Sequence, residues 1–244
     1  MKRISLIAAA MIASVAFAKG GHSVHWGYSG ENGPAHWGDL DEKFLMCKIG
    51  KNQSPVDLNR FVEADLPKMQ ITYAGNAMSV VNNGHTIQVN TMGANTIKVD
   101  GVEFTLKQFH FHTPSENHID GKSYPMEAHF VHLDKDSNIA VIALMFEEGA
   151  PNKAIDKFLS KVTKEPGEPV QLAEMFNPGE LFPKNLDYYR FNGSLTTPPC
   201  SEGVRWLVLK HAVTASKEQL DAMRAIMGKN NRPIQPLNAR CILK

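Results

Sequence analysis

The sequence Gln-Phe-His-Phe-His occupies residues 108–112, at the end of a run over 102–112 that is rich in Val, Phe and Thr. β-Branched and aromatic residues bounded by turn residues predict a strand. Alternate side chains of a strand share a face, so His110 and His112 point one way and the two phenylalanines point the other way. The pattern therefore predicts a strand with one apolar face and one face that carries two imidazoles.

A second strand with the same alternation follows at residues 127–133, which read Glu-Ala-His-Phe-Val-His-Leu. Glu127, His129 and Val131 share one face of this strand, whereas His132 points to the other face. The second strand therefore offers one histidine beside a carboxylate, and a second histidine that is directed away from both.

Residues 113–126 can form the connection between the two strands, which makes the strands antiparallel neighbours. Opposed residues in such a pair lie about 5 Å apart, so His110, His112 and His129 can converge on one metal ion. Three neutral histidines with an open fourth position are typical of catalytic zinc sites. His132 is out of phase with these three, and we expect it to have a structural role.

Short apolar or alternating runs dominate the rest of the chain, and most are rich in Val, Ile, Phe or Thr. Gly, Asn, Asp or Pro residues bound them, and this composition predicts many short strands. Asp100 and Gly101 predict a tight hairpin turn between two of the runs. The further predicted strands lie at residues 69–73, 78–81, 85–91, 95–99, 139–146 and 204–210.

Two segments have the apolar spacing of helices. Residues 151–162 begin with a proline and place four apolar side chains at helical spacing. Residues 216–227 open with a capping box formed by Ser216 and Gln219, and they stop at Gly228. Few helices and many strands predict an α+β, sheet-dominated fold: a single domain around a large, mostly antiparallel, twisted β-sheet with a few short surface helices.

The first eighteen residues are typical of a cleaved signal peptide. Lys2 and Arg3 precede an apolar run, and a small-x-small cleavage site ends at Ala18. The run is shorter than the roughly 20 residues that span a bilayer, so we expect a periplasmic or secreted mature domain, residues 19–244, with no membrane anchor. Loss of the two basic residues lowers the formal net charge from +1 to about −1, which gives no general electrostatic basis for binding nucleic acid.

The chain has three cysteines, Cys47, Cys200 and Cys241. Disulfides are favoured in the oxidising compartments that exported proteins enter. Three thiols permit one disulfide and leave one cysteine over. These considerations alone leave the choice of pair open.

A rival metal site uses the same segment of the chain. The spacing His110-x-His112-x-x-x-Glu116 matches the core of the first cupin motif, in which the glutamate is also a ligand. A cupin also requires a second motif of the type Pro-x-Gly-x-x-His, whereas Pro125 precedes His129 here without an intervening glycine. A cupin-type metalloenzyme that uses iron or manganese is therefore kept as an alternative hypothesis.

Eight short motifs, spread in order over nearly the whole mature chain, resemble those of the alpha class of carbonic anhydrases. The placement of Cys47 and Cys200 is similar to that in the secreted bacterial branch of this family, which implies a disulfide between them and a free thiol at Cys241 in an apolar C-terminal strand. The motifs lie at residues 25–28, 33–37, 53–55, 82–85, 108–112, 127–132, 193–200 and 232–236.

The resemblance implies a zinc enzyme that reversibly hydrates carbon dioxide to bicarbonate and a proton, through attack by a zinc-bound hydroxide. It makes His110, His112 and His129 the ligands of Zn²⁺, with Gln108 and Glu127 hydrogen-bonded to ligand imidazoles. Both supporting residues share the strand phase of the ligands, which is a check independent of the family. A non-catalytic binding module on the same fold is the alternative, although such relatives typically lose a zinc histidine.

The resemblance also implies roles around the metal. Thr196 is expected to accept the hydroxide proton and to donate its own proton to a buried, ionised Glu116, while its backbone N–H holds a substrate oxygen. His85 matches the family's proton shuttle, since an imidazole relays protons near pH 7. The polar residues expected to order the intervening waters are Tyr28, Asn83 and Gln88, and the expected substrate pocket comprises Val131, Val141, Leu195, Thr196, Thr197, Val204 and Trp206.

Three further properties follow from the resemblance. It implies inhibition by sulfonamides and anions, and cis peptide bonds before Pro55 and Pro199. Asn117 departs from the common pattern, because many members have a histidine after the glutamate, and we expect this position to be structural. The sequence leaves the oligomeric state open, with a homodimer as one option.

Overall fold

The computed structural model describes residues 24–244, and the signal peptide predicted over residues 1–18 lies outside them. The strands are β1 (Asp57–Leu58), β2 (Phe61–Val62), β3 (Gln70–Tyr73), β4 (Asn76–Asn82), β5 (Ile87–Met92), β6 (Asn95–Val99), β7 (Val102–His112), β8 (His118–Ile119), β9 (Met126–Leu133), β10 (Ile139–Glu148), β11 (Val170–Phe176), β12 (Tyr188–Ser194), β13 (Glu202–Leu209), β14 (Val213–Ala215) and β15 (Ile242–Leu243). The α-helices are α1 (Trp37–Leu40), α2 (Met46–Ile49), α3 (Lys153–Leu159) and α4 (Lys217–Met227), and 3-10 helices cover Gly30–Asn32, Glu42–Phe44 and Pro178–Leu181. None of the helices within residues 24–244 is both long and apolar enough to cross a membrane.

One large sheet of 13 strands organises the protein, and β1 and β8 form a separate parallel pair. The main path of the sheet runs in the order β11-β4-β5-β7-β9-β10-β13-β12-β15-β2, with β6 beside β7, β3 beside β6 and β14 beside β10. Most neighbouring strands are antiparallel, while β10 runs parallel to β13 and β14, and β15 runs parallel to β2. The predicted sheet-dominated α+β fold is confirmed.

Local turn and cap residues act as the sequence predicts. Asp100 and Gly101 both have positive φ, at 52° and 78°, which is the backbone that a tight hairpin between β6 and β7 requires. At the start of α4, Ser216 and Gln219 form a reciprocal capping box. Gly228 ends the same helix with a φ of 65°, a conformation that suits glycine.

Two elements are shorter than their predicted ranges. The helix predicted over 151–162 covers only Lys153–Leu159, because the Asn152 side chain accepts the first N–H groups and so sets the start of α3. The strand predicted over 85–91 begins at Ile87, because a side-chain-capped turn occupies the residues before it. His85 therefore lies in the turn between β4 and β5 and not in a strand.

The sheet separates two apolar clusters, and the alternation seen in the sequence decides which residues join each cluster. The larger cluster contains Phe109, Phe111 and Phe130, together with Phe158 of α3. Phe111 stacks on Phe158 with ring centroids 5.5 Å apart. The smaller cluster covers the opposite face of β9, β10 and β13. His110, His112 and His129 alternate with the large-cluster phenylalanines, so they project to the side of the smaller cluster.

Candidate active site and metal centre

Three imidazoles meet where β7 and β9 lie side by side. His110 is directly opposite His129 in the antiparallel register, and His112 follows on the same face of β7. One ring nitrogen of each histidine lies within 4.8 Å of the others, so the group could hold a metal ion. His112 and His129 are buried and His110 is half-buried. The structure thus brings together the three histidines that strand phase selected.

Each histidine of β7 has one ring nitrogen held by a protein oxygen. The Nδ1 of His110 lies 2.9 Å from Oε1 of Gln108, and the Nδ1 of His112 lies 2.8 Å from the backbone oxygen of Asn230. Because a carbonyl oxygen can only accept, the Nδ1 atom of His112 carries the proton and its Nε2 atom presents a lone pair. The same tautomer, with the proton on Nδ1, lets His110 donate to Oε1 of Gln108. Both rings thus have Nε2 available for a metal.

The third histidine is oriented by a buried carboxylate. Oε1 of Glu127 lies 2.9 Å from Nε2 of His129, which leaves Nδ1 as the metal-facing nitrogen. The same carboxylate accepts the backbone N–H groups of Glu116 and Asn117 at 2.7 and 2.8 Å, and the Asn117 side chain at 2.7 Å. Asn117 also accepts the N–H of Val56 at 3.0 Å. Asn117 therefore has the structural role expected of this position, and it acts by holding Glu127.

The donor set fits a metal ion of the zinc class. Burial lowers the pKa of all three imidazoles, and neighbouring imidazoles lower the pKa of His110 and His129 further, so the rings are neutral at neutral pH. The buried Nε2 of His112 and Oε2 of Glu116 have no hydrogen-bond partner within residues 24–244. Buried polar atoms are normally paired, so these two atoms have the environment of groups that face a ligand.

Glu116 lies fully buried beside the metal-facing nitrogens. Its Oε1 atom accepts the backbone N–H of Arg232 at 2.8 Å, and its Oε2 atom lies 3.5 Å from Nε2 of His112. Burial raises the pKa of Glu116 well above its usual value, while hydrogen bonds from the Arg232 backbone and the Thr196 side chain oppose that rise. Thr196 therefore lies close enough to Glu116 to affect the titration of its carboxyl group.

The apolar residues predicted for the substrate pocket lie next to one another. Val141 of β10 is in register with Val131 of β9 on one side and with Trp206 of β13 on the other. The Trp206 ring meets the His129 ring edge-on, with centroids 4.8 Å apart. These residues belong to the smaller apolar cluster together with Val204 and the partly buried Leu195. An apolar wall thus borders the histidine group.

His85 lies half-buried in the turn between β4 and β5. Its ring stacks on Trp26 with centroids 3.8 Å apart and an interplanar angle of 6°. Burial lowers the pKa of His85, and the nearby imidazole of His25 lowers it further. The backbone oxygen of His85 accepts the side-chain amide of Asn230 at 3.0 Å, which connects this turn to the segment that supports His112.

The three polar residues predicted for the water network have different surroundings. Oδ1 of Asn83 accepts the N–H groups of His85 and Thr86, both at 3.0 Å, so this oxygen shapes the turn itself. Gln88 is directly opposite His110 in the sheet register. Tyr28 is half-buried, and burial and then the charge of Glu116 raise its pKa. Thr197, predicted for the substrate pocket, is half-buried beside Thr196.

The loop that carries Thr196 is tied to α2 by the predicted disulfide between Cys47 and Cys200. Cys241 is an exposed free thiol, and it lies just before β15 rather than within that strand. The predicted cis peptide bonds before Pro55 and Pro199 are present, and a third one precedes Pro114. His132 lies outside the histidine group, as its phase predicts, and meets the Tyr73 hydroxyl at 2.7 Å.

Two residues of the site were missed by reasoning from sequence, Asn230 and Arg232. Asn230 supports His112 with its carbonyl and also donates to the backbone oxygen of Phe111 at 2.9 Å. Both residues follow α4 in a segment without regular secondary structure, so no periodic pattern marks them as buried. The family motif at residues 232–236, Arg-Pro-x-Gln-Pro, includes Arg232, but a motif match alone does not show which residues the Arg232 side chain contacts.

Comparison with known proteins agrees with the geometry. A family model for eukaryotic-type carbonic anhydrases matches residues 32–244. A carbonic anhydrase of Pectobacterium carotovorum is 49% identical over 239 residues, which cover 96% of this chain and 97% of that protein. A carbonic anhydrase of Neisseria gonorrhoeae is 47% identical over 245 residues, which cover 98% and 96% of the two chains.

A solved structure extends the likeness to three dimensions. The complex of the alpha-carbonic anhydrase of Thermovibrio ammonificans with the inhibitor sulfanilamide has a TM-score of 0.89 at 54% identity, covering 91% of this chain and 100% of that chain. The agreement of motifs, fold, histidine group and relatives has one explanation: the chain belongs to the alpha class of the carbonic anhydrase family.

Proposed function

We propose that this protein catalyses the reversible hydration of carbon dioxide to bicarbonate and a proton, with Zn²⁺ bound by His110, His112 and His129. The observation that carries the proposal is the set of three neutral imidazoles. Each of them has its second nitrogen held by a protein acceptor, and an apolar wall lies beside the group. Three histidines with an open fourth position are the ligand set of the catalytic zinc in carbonic anhydrase, which is the standard example of this arrangement.

When bound, zinc supplies a nucleophile at neutral pH by lowering the pKa of a coordinated water to about 7. The protein contributes the orientation of the three rings. Gln108, Glu127 and the Asn230 carbonyl fix the tautomers and so direct one lone pair of each ring to the same point. A neutral ligand set leaves the full positive charge of the ion available to the reaction.

Thr196 and Glu116 orient the nucleophile. An ionised Glu116 can only accept, so the Thr196 hydroxyl must donate to it and must use its own lone pair to accept a proton from the nucleophile. This polarity directs the remaining lone pair of the nucleophile toward the substrate carbon. A nearby divalent cation favours the ionised form of Glu116 and opposes the effect of burial. The backbone N–H of Thr196 is the donor proposed for a substrate oxygen.

The apolar wall binds the substrate by excluding water. Carbon dioxide has no net dipole and no hydrogen-bond donor, so a surface of hydrocarbon and indole suits it better than a polar pocket. Val131, Val141 and Trp206 supply this surface beside His129. Leu195, Thr197 and Val204 complete the proposed pocket.

His85 carries the product proton to solvent. Each turnover releases one proton, and an imidazole that titrates near neutral pH can both take it up and give it away. His85 is half-buried in a turn outside the histidine group, so part of the residue is open to solvent. Tyr28, Asn83 and Gln88 are the polar side chains proposed to order waters on this route.

We also propose how the protein is inhibited and where it is located. The Thermovibrio ammonificans relative was solved with the inhibitor sulfanilamide, and we propose that sulfonamides and small anions also inhibit this protein. The proposed mature chain comprises residues 19–244 after export through the leader over 1–18. The Cys47–Cys200 disulfide suits an oxidising compartment, either the periplasm or the exterior of the cell.

Metal analysis and a stopped-flow assay test the proposal together. We expect about one zinc per chain, carbon dioxide hydration that a chelator abolishes, and recovery of activity when zinc is restored. Bound iron or manganese without hydration activity would favour the cupin-type alternative. Stoichiometric zinc without hydration activity would favour a non-catalytic binding module.

A further inference from the structure

Arg232 is a buried cation whose guanidinium contacts carbonyl groups instead of a carboxylate. Its side chain is 1% exposed. Nη1 donates to Oε1 of Gln53 and to the backbone oxygen of Ser54, both at 2.8 Å, and Nη2 donates to the backbone oxygen of Cys47 at 3.0 Å. The guanidinium also lies over the ring of Trp37, 5.7 Å from its centroid. Burial of a charge is costly unless its donors are paired. These contacts pair Nη1 and Nη2, while Nε has no hydrogen-bond partner within residues 24–244.

These contacts are part of a closed ring of interactions. Gln53 receives a hydrogen bond from Arg232 and donates one from Nε2 to the backbone oxygen of Cys200 at 3.0 Å. Cys200 is covalently bonded to Cys47, and the carbonyl of Cys47 returns to Arg232. One covalent bond and three hydrogen bonds thus connect Cys47, Gln53, Cys200 and Arg232. We name this set the Arg232 circuit.

The Arg232 circuit contacts Glu116 and Thr197, the residue that follows Thr196. On one side, the backbone N–H of Arg232 donates to Oε1 of Glu116 at 2.8 Å. On the other side, the N–H of Cys200 donates to the backbone oxygen of Thr197 at 2.8 Å, directly after Thr196. Glu116 and Thr196 come from segments far apart in the chain, and the circuit connects the carboxylate of Glu116 with the backbone next to Thr196.

We propose that Arg232 is a positioning residue that holds Glu116 and Thr196 in their mutual geometry through the Arg232 circuit. The inference rests on the proposed function, because it concerns the step in which that pair directs the nucleophile. Arginine suits the role because its planar fork donates in several fixed directions to Gln53, Ser54 and Cys47 at once. The ammonium of lysine is a point charge on a flexible stem, and it cannot reproduce this geometry.

The first test compares Arg232→Lys and Gln53→Ala with the matched control Arg190→Lys, which removes the two-pronged hydrogen bonding of a guanidinium to Asp100 on a different part of the sheet. The readouts are kcat and kcat/KM for carbon dioxide hydration, each divided by the amount of bound zinc. We expect both circuit variants to retain zinc and to lose roughly 10-fold in kcat/KM, as when a reacting group is misplaced. We expect a smaller loss in kcat, which also includes proton export, and no change for Arg190→Lys.

Division by bound zinc separates positioning from folding. Substitution of a residue that only stabilises the fold lowers the yield of zinc-loaded protein but leaves the activity of each zinc site unchanged. If Arg232→Lys fails to fold, Gln53→Ala removes the contact to Cys200 with a smaller perturbation and keeps the test decisive. Unchanged kcat/KM per zinc in Gln53→Ala would overturn the inference, whereas a wild-type protein without zinc-dependent hydration would overturn the proposed function itself.

A double-mutant cycle tests whether the circuit acts as a unit. Gln53→Ala is made in the wild-type protein and in the Cys47→Ala, Cys200→Ala double variant; removing the disulfide by mutation avoids thiol reductants, which bind zinc. Independent residues have effects that multiply, and residues of one network do not. We expect the loss of kcat/KM caused by Gln53→Ala to differ at least about 3-fold between the two backgrounds. Equal losses would mean that no circuit couples these residues.

Discussion

The carboxylate of Glu127 accepts the ring N–H of His129 at 2.9 Å and, at the same time, three N–H groups of the segment that carries Glu116. One buried group therefore orients a metal ligand and fixes the backbone of the residue that orients the nucleophile. Burial raises the pKa of Glu127, while hydrogen bonds from Asn117 and from the Glu116 backbone oppose that rise. Its contribution to metal binding can be measured directly.

Replacing Glu127 with glutamine should weaken zinc binding. The amide has nearly the same shape, but it has one acceptor oxygen where the carboxylate has two, and its NH₂ group opposes an N–H of residues 116–117 or the ring N–H of His129. Loss of such a supporting contact typically costs 10- to 100-fold in metal affinity or activity. Competition with a chromophoric chelator measures the zinc Kd. Glu103→Gln, at an exposed position on β7, is the control, and equal zinc affinities for both variants would contradict the assigned role.

The two histidines of β9 should respond oppositely to substitution. His129→Ala removes one of three ligands, and we expect loss of both zinc and activity. His132→Ala affects a ring on the other face of the strand, beside Tyr73, and we expect that protein to keep its zinc. Zinc content per chain, measured on folded protein, decides between the two positions. Zinc loss in His132→Ala together with retention in His129→Ala would reverse the assigned register.

Strand phase predicts the grouping of the three histidines because the side-chain period of a strand is a local property. The two-residue alternation put His110, His112, His129 and Val131 on one face without any knowledge of how the sheet is assembled. The same alternation places His132 outside the histidine group, although His132 is as buried as His129 and lies in the same strand. The same rule correctly aligned Gln108 and Glu127 with the histidines that they support.

The supports from the C-terminal segment could not be predicted in this way. Asn230 meets His112, and Arg232 meets Glu116, across separations of 118 and 116 residues. Such contacts depend on how a loop without periodicity folds over the end of the sheet. The sequence pattern predicts a strand from residue 85, whereas His85 lies in a turn whose capping by Asn83 depends on side-chain contacts and not on alternation. Long-range loop contacts therefore cannot be predicted from local sequence patterns.

Thr196→Ala should retain zinc and lose kcat/KM on the order of 10²-fold, the usual cost of removing one positioned catalytic group. Without the hydroxyl, Glu116 has no route to the nucleophile and the orienting hydrogen bond is lost. Thr196→Ser keeps an oxygen at the same position and should recover most of the rate. Stopped-flow hydration at matched zinc content is the measurement, and equal rates for the alanine and wild-type proteins would remove Thr196 from the mechanism.

The acid stability of the protein should depend on His132. Burial lowers its pKa to about 3, whereas a histidine in an unfolded chain titrates near 6.5, so the unfolded state binds the proton first. The free energy of unfolding contributed by this group therefore falls as the pH drops below about 6.5, by up to about 1.4 kcal/mol per pH unit, until the pH approaches 3. Urea unfolding of the zinc-loaded protein at several pH values gives the slope.

His132→Gln separates this contribution from that of the metal ligands, whose lowered pKa values act in the same direction. The variant should be less stable at neutral pH, because it loses the contact with Tyr73, but its stability should fall less steeply between pH 6 and pH 4. His211→Gln, at an exposed position in the turn between β13 and β14, should keep the wild-type slope. Identical slopes in all three proteins would show that His132 does not titrate as its burial implies.

His85→Ala should lower kcat while leaving kcat/KM for carbon dioxide nearly unchanged. The first constant includes delivery of the product proton to buffer, whereas the second reports only the steps through bicarbonate release. His85 stands in a turn outside the histidine group, so its removal should not disturb zinc or the orientation of the nucleophile. The exposed His211→Ala serves as the control and should change neither constant.

Chemical rescue makes the His85 prediction specific for proton transfer. Free imidazole in the buffer can carry the proton in place of the missing side chain, because its pKa lies near the working pH. Adding it should restore much of the kcat of His85→Ala and should have little effect on the wild-type enzyme. An equal loss in kcat and kcat/KM that imidazole does not restore would mean that His85, stacked on Trp26, shapes the site instead of relaying protons.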